Sequence, residues 1–286
     1  MKMSERAWFN GQVVPHHSAD PSVASNTLHL GIAVFDGCVA YWNDDHWHQH
    51  LMREHMERFH RGAARMDLAL PWGVEELLDG VHLLLDTLPR RTHYIRPIAY
   101  RTAPEVFFSV DVESTSACMF AVPITRDVDG AVRCQLSSVE RVRHTAIDVT
   151  WKVSGAYANS YLCEREARRA GFDTGVMLNS AGLICEASSS NLFFVADRTL
   201  VTPRLDGDVF PGLTRALLID QARAADITLV ERDVHPAELP NFDAALLCGT
   251  LSEVRPVSCI GDVNWPSADD PTVRHVIDRF RRSTHR

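Results

Sequence analysis

The chain has 286 residues, more than a single hydrophobic core usually serves, so we expect two domains. Its composition, 45% hydrophobic and 23% charged, is that of a globular protein, and a net charge of −8 without a basic stripe argues against nucleic acid as a partner. No apolar run reaches the roughly 20 residues that span a bilayer, and the first residues lack the apolar core of a signal peptide, so we expect a cytoplasmic protein without a membrane partner.

The first half of the chain alternates predicted strands and helices. Residues 7–14 are typical of a hairpin turning at Asn10-Gly11. Residues 51–66 carry apolar side chains at helical spacing, and residues 74–88 suggest a second helix. Two more strands are predicted at 93–101 and 117–124, and the first of these places Tyr94 and Arg96 on one face.

Residues 125–132 are predicted to link a small α/β domain (1–124) to a larger one (133–286). The larger domain begins with a helix that follows Lys152 and ends at Gly171. Short strands are then predicted at 175–179, 183–187 and 191–195, a helix opens at 210–214, and a buried strand covers 244–248. The fold class expected from this order is α/β, or α+β, with two domains.

Neither the cysteines nor the histidines predict a metal site. The seven cysteines are scattered, odd in number and form no CxxC pair, which favours reduced core thiols over disulfides or zinc ligands. His46, His48 and His50 alternate with Trp47 and Gln49, a pattern typical of an ordinary solvated strand face. We therefore expect no bound metal.

One lysine stands out by its rarity. The 29 basic residues comprise 27 arginines and two lysines, Lys2 and Lys152, so surface charge does not require lysine in this chain. Lys152 lies in Thr-Trp-Lys-Val-Ser-Gly-Ala-Tyr, beside bulky and apolar residues. A desolvated lysine amine attacks carbonyl carbon, which an arginine does not. Lys152 is therefore a candidate nucleophile, with a lysine of no special role as the alternative.

A carboxylate and a set of phosphate donors accompany this lysine. Glu186 interrupts an apolar strand and needs a cation, either a protonated ring nitrogen or an arginine at the rim of the protein. Leu213 and Thr214 open a helix after Pro-Gly, and the first amides of a helix bind anions. Thr250 offers a hydroxyl and Arg58 a guanidinium. A lysine, a carboxylate and phosphate donors are what pyridoxal 5′-phosphate (PLP) requires.

Eight motifs in fixed order carry a family resemblance. They are FDGCVAYW (35–42), REHMERFH (53–60), YIRP (94–97), WKVSGAYANSYL (151–162), EARRAGF (166–172), CEASSSNLFFV (185–195), FPGLTR (210–215) and CGTLSEVRPV (248–257). Together they resemble the fold-type IV PLP enzymes, the class IV aminotransferases that include branched-chain and D-amino-acid aminotransferases. The resemblance covers the chain from about Trp8 to Val257.

The resemblance implies roles for the matching residues. Lys152 would be the catalytic residue, covalently bound to PLP and moving a proton between Cα and C4′. The other residues implied to hold the cofactor are Arg58, Leu213, Thr214 and Thr250 at the phosphate, Tyr157 at the ring oxygen and Glu186 at the ring nitrogen. Those implied to bind the substrate are Phe35, Tyr94, Arg96, Thr250 and Leu251.

The same resemblance implies a reaction and an assembly. An amino group would move between an amino acid and a 2-oxo acid, with PLP in a cleft between the domains of a homodimer. Two alternatives stay open on this fold: a lyase of the aminodeoxychorismate lyase type or another specialised PLP reaction, and a non-catalytic binding protein. Intact cofactor residues argue against the second.

Departures from the family pattern fall in the substrate pocket. Leu30 and Val39 stand where branched-chain enzymes usually have a tyrosine and an arginine, and Asp36 stands where they usually have a glutamate. Leu251 and Ser252 replace two small alanines. Because the pocket loses polar groups, we expect a hydrophobic, branched-chain-like or aromatic amino donor to be handled better than an acidic one.

Overall fold

A computed structural model describes residues 3–102, 107, 115–125, 130–205 and 208–284. The chain divides into two compact units, unit 1 (residues 1–126 and 151–156) and unit 2 (residues 127–150 and 157–286). The segment 151–156, which contains Lys152, packs with unit 1, whereas the sequence places it in the C-terminal domain. Residues 126–129 of the predicted linker lie outside the described residues, so the linker stays a prediction.

Unit 1 is built on a seven-stranded, antiparallel sheet. Its strands run in the order β2-β1-β7-β6-β4-β5, and β3 pairs with β6. The strands are β1 (Arg6–Phe9), β2 (Gln12–Pro15), β3 (Ala33–Phe35), β4 (Cys38–Asn43), β5 (His46–His50), β6 (His93–Arg101) and β7 (Thr115–Pro123). The helices are α1 (Asn26–Leu30), α2 (Met52–Arg65) and α3 (Val74–Leu85), with a 3₁₀ turn at His16–Ala19.

Local chemistry explains the first hairpin and the packing behind it. Asn10 and Gly11 both adopt positive φ, 48° and 89°, as a two-residue hairpin turn requires. The side chain of Trp8 on β1 is almost fully buried against α3, where a Cβ atom at Gly80 would lie 2.8 Å from its indole. The apolar faces of α2 and α3 thus cover one face of the sheet, around Met56 and Phe59.

Unit 2 is built on a nine-stranded mixed sheet in the order β10-β9-β8-β15-β14-β11-β12-β13, with β16 paired to β15. The strands are β8 (Val132–Leu136), β9 (Thr174–Leu178), β10 (Ile184–Ala187), β11 (Asn191–Ala196), β12 (Thr199–Pro203), β13 (Leu229–Arg232), β14 (Ala244–Gly249), β15 (Glu253–Ile260) and β16 (Val263–Asn264). The helices are α4 (Tyr157–Arg169), α5 (Leu213–Arg223) and α6 (Pro271–Ser283), and 3₁₀ turns lie at Val149–Trp151, Ser154–Ala156 and Pro236–Asn241.

Both faces of the unit 2 sheet are buried. Helices α5 and α6 pack on one face, against residues such as Phe193 and Leu246. The other face buries a second cluster around Leu192, Phe194 and Trp265. Central strands such as β14 are therefore apolar on both sides, which explains their continuous hydrophobic sequence. No described helix is long and apolar enough to cross a bilayer.

Most predicted elements are confirmed within a few residues. The hairpin, helices α2, α3, α4 and α5, and strands β6, β7, β9, β10, β11 and β14 all lie where the sequence predicts them. Residues 46–50 also form the strand inferred from alternating histidines. The sequence did not predict strands β3, β4, β8, β12, β13, β15 and β16 or helices α1 and α6.

Candidate active site

The backbone of Lys152 adopts an unusual conformation. Its φ of 52° is left-handed, a region that costs a non-glycine residue about 1 kcal/mol or more and that clusters at functional sites. Neighbouring contacts impose it, because Val153 forms a β-bridge with Val34 and the Lys152 carbonyl accepts a hydrogen bond from the Phe35 amide at 3.2 Å. The segment is thereby attached to β3 at the Lys152 carbonyl and at the following residue.

Two glycines allow the segment 151–156, which carries Lys152, to pack closely against its neighbours. A Cβ atom at Gly62 on α2 would lie 2.6 Å from the carbonyl oxygen of Trp151. A Cβ atom at Gly31 would lie 2.7 Å from Cα of Gly155, whose amide donates to the Gly31 carbonyl. Both distances are shorter than real Cβ contacts, so any larger residue would displace the segment that carries Lys152.

One turn before Gly62 on α2, Arg58 forms a buried ion pair. Its Nε and Nη2 each lie 2.8 Å from a carboxylate oxygen of Asp36, and His55 Nδ1 lies 2.8 Å from Asp36 Oδ1. Burial opposes ionisation of Asp36, but the charges and hydrogen bonds of Arg58 and His55 outweigh it, so the pKa of Asp36 lies well below its usual range. Burial likewise lowers the pKa of His55, with Asp36 opposing the shift.

The predicted substrate residues of unit 1 lie together around an aromatic ring. Lys152 Nζ is 5.0 Å from the centre of the Phe35 ring, and Arg96 Cζ is 4.3 Å from the same point. Arg96 Nε donates to the hydroxyl of Tyr94 at 2.9 Å. Burial raises the pKa of Tyr94 to about 12, although Arg96 acts in the opposite direction, so this hydroxyl stays protonated at neutral pH.

Glu186 on β10 is the buried carboxylate of unit 2. Its Oε1 lies 2.7 Å from Arg141 Nη2, and its Oε2 accepts from Asn191 Nδ2 at 3.0 Å and from the Phe210 amide at 3.2 Å. Of the two partners considered for this residue, the arginine is present, but the pair is almost fully buried rather than at a rim. The sheet and the 208–212 segment together hold the carboxylate in one orientation.

Arg141 and Asp208 are parts of this site that the sequence did not single out. Arg141 Nε donates to the carbonyl of Asp208 at 3.2 Å, and the Asp208 carboxylate lies 2.8 Å from both the amide and Nδ1 of His144. Because a buried carboxylate requires a cationic partner, the sequence predicts that Glu186 has one but does not identify it. The choice of Arg141 among 27 arginines depends on tertiary contacts.

The start of α5 lies close to Glu186 in unit 2. Gly212 precedes the helix, and a Cβ atom there would lie 2.2 Å from Oδ1 of Asn191. The same Asn191 side chain donates a hydrogen bond to Glu186. Leu213 and Thr214 are the first two helical residues, and the Thr214 side chain is buried. Their amides belong to the first turn, where helices bind anions.

The remaining predicted residues also belong to unit 2. Tyr157 is the first residue of α4 and is partly buried. Thr250 and Leu251 form the turn between β14 and β15, with Thr250 partly buried and Leu251 half exposed. Of the predicted site residues, Phe35, Arg58, Tyr94, Arg96 and Lys152 are therefore in unit 1, and Tyr157, Glu186, Leu213, Thr214, Thr250 and Leu251 are in unit 2.

These residues fit the chemistry of PLP. Unit 1 supplies an amine on a constrained backbone and a buried guanidinium, and unit 2 supplies a buried carboxylate and a helix start preceded by a glycine that admits no side chain. An aldehyde, a phosphate and a basic ring nitrogen are the three groups of PLP that such residues bind. Within the described part of the chain, no cluster of acidic, histidine or cysteine residues is arranged to hold a metal ion.

Comparisons with known proteins agree with this fit. The family model "Amino-transferase class IV" matches residues 33–260. A probable branched-chain-amino-acid aminotransferase of Aquifex aeolicus is 32% identical over 257 residues, 88% of this chain and 83% of that protein. The branched-chain aminotransferase of Thermoproteus uzoniensis, solved with norvaline, superimposes with a TM-score of 0.92 at 32% identity, over 98% of this chain and 94% of its own. That of Thermobaculum terrenum, solved in its PLP form, gives 0.93 at 25% identity, over 100% and 95%.

Fold and comparisons together define a PLP-dependent enzyme of fold type IV. The chain belongs to the class IV aminotransferases, and its reaction is amino-group transfer with PLP as the cofactor. The prediction of family, fold, cofactor and reaction from the sequence is thus confirmed. Of the three functions left open by the sequence, the aminotransferase is the one that the family supports.

Proposed function

We propose that the enzyme transfers the amino group of a hydrophobic amino acid, branched-chain-like or aromatic, to a 2-oxo acid. The observation that carries this proposal is the Phe35 ring, whose centre lies 5.0 Å from the Lys152 amine and 4.3 Å from Cζ of Arg96. Val39 and Tyr41 form an apolar cluster with Tyr94 on the same side of the sheet. Such a surface binds apolar side chains better than acidic ones. The side-chain carboxylate of an acidic substrate would lose its hydration there without gaining hydrogen-bond donors in exchange.

The structure of the T. uzoniensis enzyme contains norvaline, an unbranched aliphatic amino acid, which supports a hydrophobic donor for this chain as well. In this proposal Arg96 and the Thr250-Leu251 amides hold the α-carboxylate of the substrate. Tyr94 keeps Arg96 in place through its hydroxyl, which remains neutral at working pH. The side chain of the substrate would then pack against Phe35.

The chemical step rests on Lys152. When bound, PLP withdraws electrons from the substrate Cα and so stabilises the negative charge that develops there. Lys152 Nζ would take the proton from Cα of the amino donor and, in the second half of the reaction, would give a proton to Cα of the amino acid formed from the 2-oxo acid. The constrained backbone fixes the point from which its side chain extends, which limits the positions that the amine can reach.

The other predicted residues would hold the cofactor. Glu186 would bind the ring nitrogen, Tyr157 the ring oxygen, and Arg58, Leu213, Thr214 and Thr250 the phosphate. The supporting observations are the three donors that fix the Glu186 carboxylate and the first turn of α5, where Thr214 is buried. We further propose a cytoplasmic homodimer, since the family resemblance implies a dimer.

Steady-state kinetics with different donors tests the substrate class. We expect kcat/KM for leucine and phenylalanine to exceed that for glutamate, with pyruvate as the common acceptor because glutamate and 2-oxoglutarate would only regenerate each other. A simple chiral amine serves as a control for the α-carboxylate, because it lacks the group that Arg96 would bind. A glutamate preference of more than tenfold, or formation of a lyase product without transfer from any amino acid, would contradict the proposal.

A further inference from the structure

Asp36 receives an unusual number of donors for a single buried carboxylate. Its Oδ1 accepts from the Gly37 amide at 2.6 Å and lies 2.8 Å from both His55 Nδ1 and Arg58 Nη2, while its Oδ2 lies 2.8 Å from Arg58 Nε. The residue has no exposed surface. The amide of Asp36 itself donates to the Pro97 carbonyl, so its backbone is fixed as well.

The geometry of the Asp36–Arg58 ion pair fixes the orientation of the Arg58 guanidinium. A guanidinium has a rigid planar fork of five N–H groups. Asp36 bonds the Nε–Nη2 edge at both oxygens, and Nη2 also lies 3.2 Å from His55 Nδ1, so the plane of the guanidinium is fixed. The pair thus converts a long, flexible side chain into a donor of fixed direction.

The negative charge of Asp36 should weaken the binding of an anion near Arg58, whereas its orienting contact should strengthen it. Asp36 stays ionised, and together with Arg58 it forms a pair without net charge. Burial lowers the pKa of His55, which adds no positive charge near neutral pH. A phosphate dianion near Arg58 would therefore gain from directed hydrogen bonds and lose from the nearby carboxylate.

We propose that Asp36 is the positioning residue for the cofactor phosphate, and that it strengthens PLP binding by orienting Arg58 despite its own negative charge. The proposal rests on the assignment of Arg58 to the phosphate in the proposed function. It goes further, because it gives a role to a carboxylate that is fully enclosed by the protein. It also explains why unit 1 carries an acidic residue beside a phosphate-binding arginine.

The orienting effect and the charge of Asp36 predict opposite changes in PLP affinity for the substitution Asp36→Asn. Asp36→Asn removes the negative charge, which alone would tighten phosphate binding. It also removes the bidentate contact, because an amide nitrogen cannot accept from Arg58. If orientation dominates, PLP binding weakens in this variant.

The test compares PLP with pyridoxal, which lacks only the phosphate. Binding of each is measured by cofactor absorbance after dialysis of the holoenzyme, and unfolding of each variant is followed separately. We expect Asp36→Asn to weaken PLP binding at least tenfold and pyridoxal binding by less than threefold. Asp36→Glu, with the residue that related branched-chain enzymes usually carry, should restore PLP binding. Asp270→Asn, the same change at the N-cap of α6, is the matched control and should alter neither.

The possible outcomes separate the two proposals. Tighter PLP binding by Asp36→Asn would show that charge dominates, and equal weakening of both ligands would show a merely structural role; each overturns the proposal. If Asp36→Asn does not fold, Arg58→Lys replaces it, since lysine keeps the charge but lacks the fork. PLP binding by Arg58→Lys at the wild-type level would likewise overturn it. An Arg58→Ala variant that binds PLP normally would instead refute the phosphate assignment of Arg58.

Discussion

At the scale of single residues, the sequence singles out candidate reactive groups more readily than the residues that pair with them. Lys152 is recognisable because only one other lysine exists, and Glu186 because it interrupts an apolar strand. Their partners are different. Asp36 lies 22 positions from Arg58, and Arg141 lies 45 positions before Glu186, so only tertiary packing selects each pair. Buried ion pairs of this kind cannot be read from spacing.

The scarcity of lysine gives a direct test of the catalytic residue. If the Lys152 amine, on its constrained backbone, forms the covalent bond with PLP, borohydride should fix the cofactor to this residue. Peptide mapping of the reduced holoenzyme is unambiguous, since Lys2 is the alternative site in this chain. Label on Lys2, or none while PLP is present, would refute the role of Lys152.

Glu186→Gln tests the buried carboxylate. The substitution keeps the size of the side chain but removes its charge, so proton removal from Cα should slow by about 100-fold or more, equivalent to roughly 3 kcal/mol of transition-state stabilisation. Single-turnover absorbance measurements on the holoenzyme report this step. Glu238→Gln, at a partly exposed ion pair with Arg232, is the control and should leave the rate unchanged. Near wild-type turnover of Glu186→Gln would contradict the assignment.

At the scale of secondary-structure elements, helix α2 links two parts of the site. Arg58 and Gly62 lie one turn apart on it, so the same helix carries the guanidinium and contacts the segment of Lys152. The amphipathic pattern of residues 51–66 predicts the helix, but not the close approach at Gly62. That requirement depends on the position of the Trp151 carbonyl, which is set by residues almost 90 positions away.

Gly62→Ala should therefore be harmful, although alanine favours a helix. The gain in helix propensity is about 1 kcal/mol, whereas a Cβ atom 2.6 Å from the Trp151 oxygen forces α2 and the lysine segment apart, at a cost of about 1–3 kcal/mol. We expect a lower free energy of unfolding in urea and at least tenfold slower transfer. Arg61→Ala, at the exposed neighbouring position, should change neither. A more stable Gly62→Ala variant with normal activity would refute the close packing.

The elements that the sequence missed differ in kind. The signals for α6 were present, since Asp270 caps the helix, Pro271 follows it, and Val273, Val276 and Phe280 recur at helical spacing. Strands β3 and β4 were harder, because Asp36 and Gly37 interrupt one apolar stretch and leave pieces of three and six residues. The break that hides these strands is also the turn that positions Arg58.

At the scale of the whole molecule, buried titratable groups make stability depend on pH. His55 is buried, and its pKa lies below the ordinary value of about 6.5. The folded protein then binds this proton less tightly than the unfolded chain. The stabilisation is complete above about pH 6.5 and is lost as the pH falls through the lower pKa of the folded state. Burial also lowers the pKa of His93, which therefore acts in the same direction.

We therefore expect the free energy of unfolding to decrease as the pH falls below about 6.5. His55→Asn keeps a donor toward Asp36 but does not titrate, so its decrease should be shallower. Urea unfolding at a series of pH values measures both. His275→Asn, at an exposed position on α6, is the control and should follow the wild type. Identical slopes for His55→Asn and the wild type would contradict the expected role of His55.

The burial of every cysteine has a practical consequence. All seven cysteines are buried and none forms a disulfide, and burial raises the pKa values of Cys118 and Cys248 to about 12, which suppresses the reactive thiolate form. Maleimide dyes should thus leave the native protein unlabelled under mild conditions. A pair of cysteines introduced at exposed positions, one in each unit, would then be the preferred dye-attachment points. Single-molecule fluorescence could follow the distance between the units during turnover in a protein that retains all its natural cysteines.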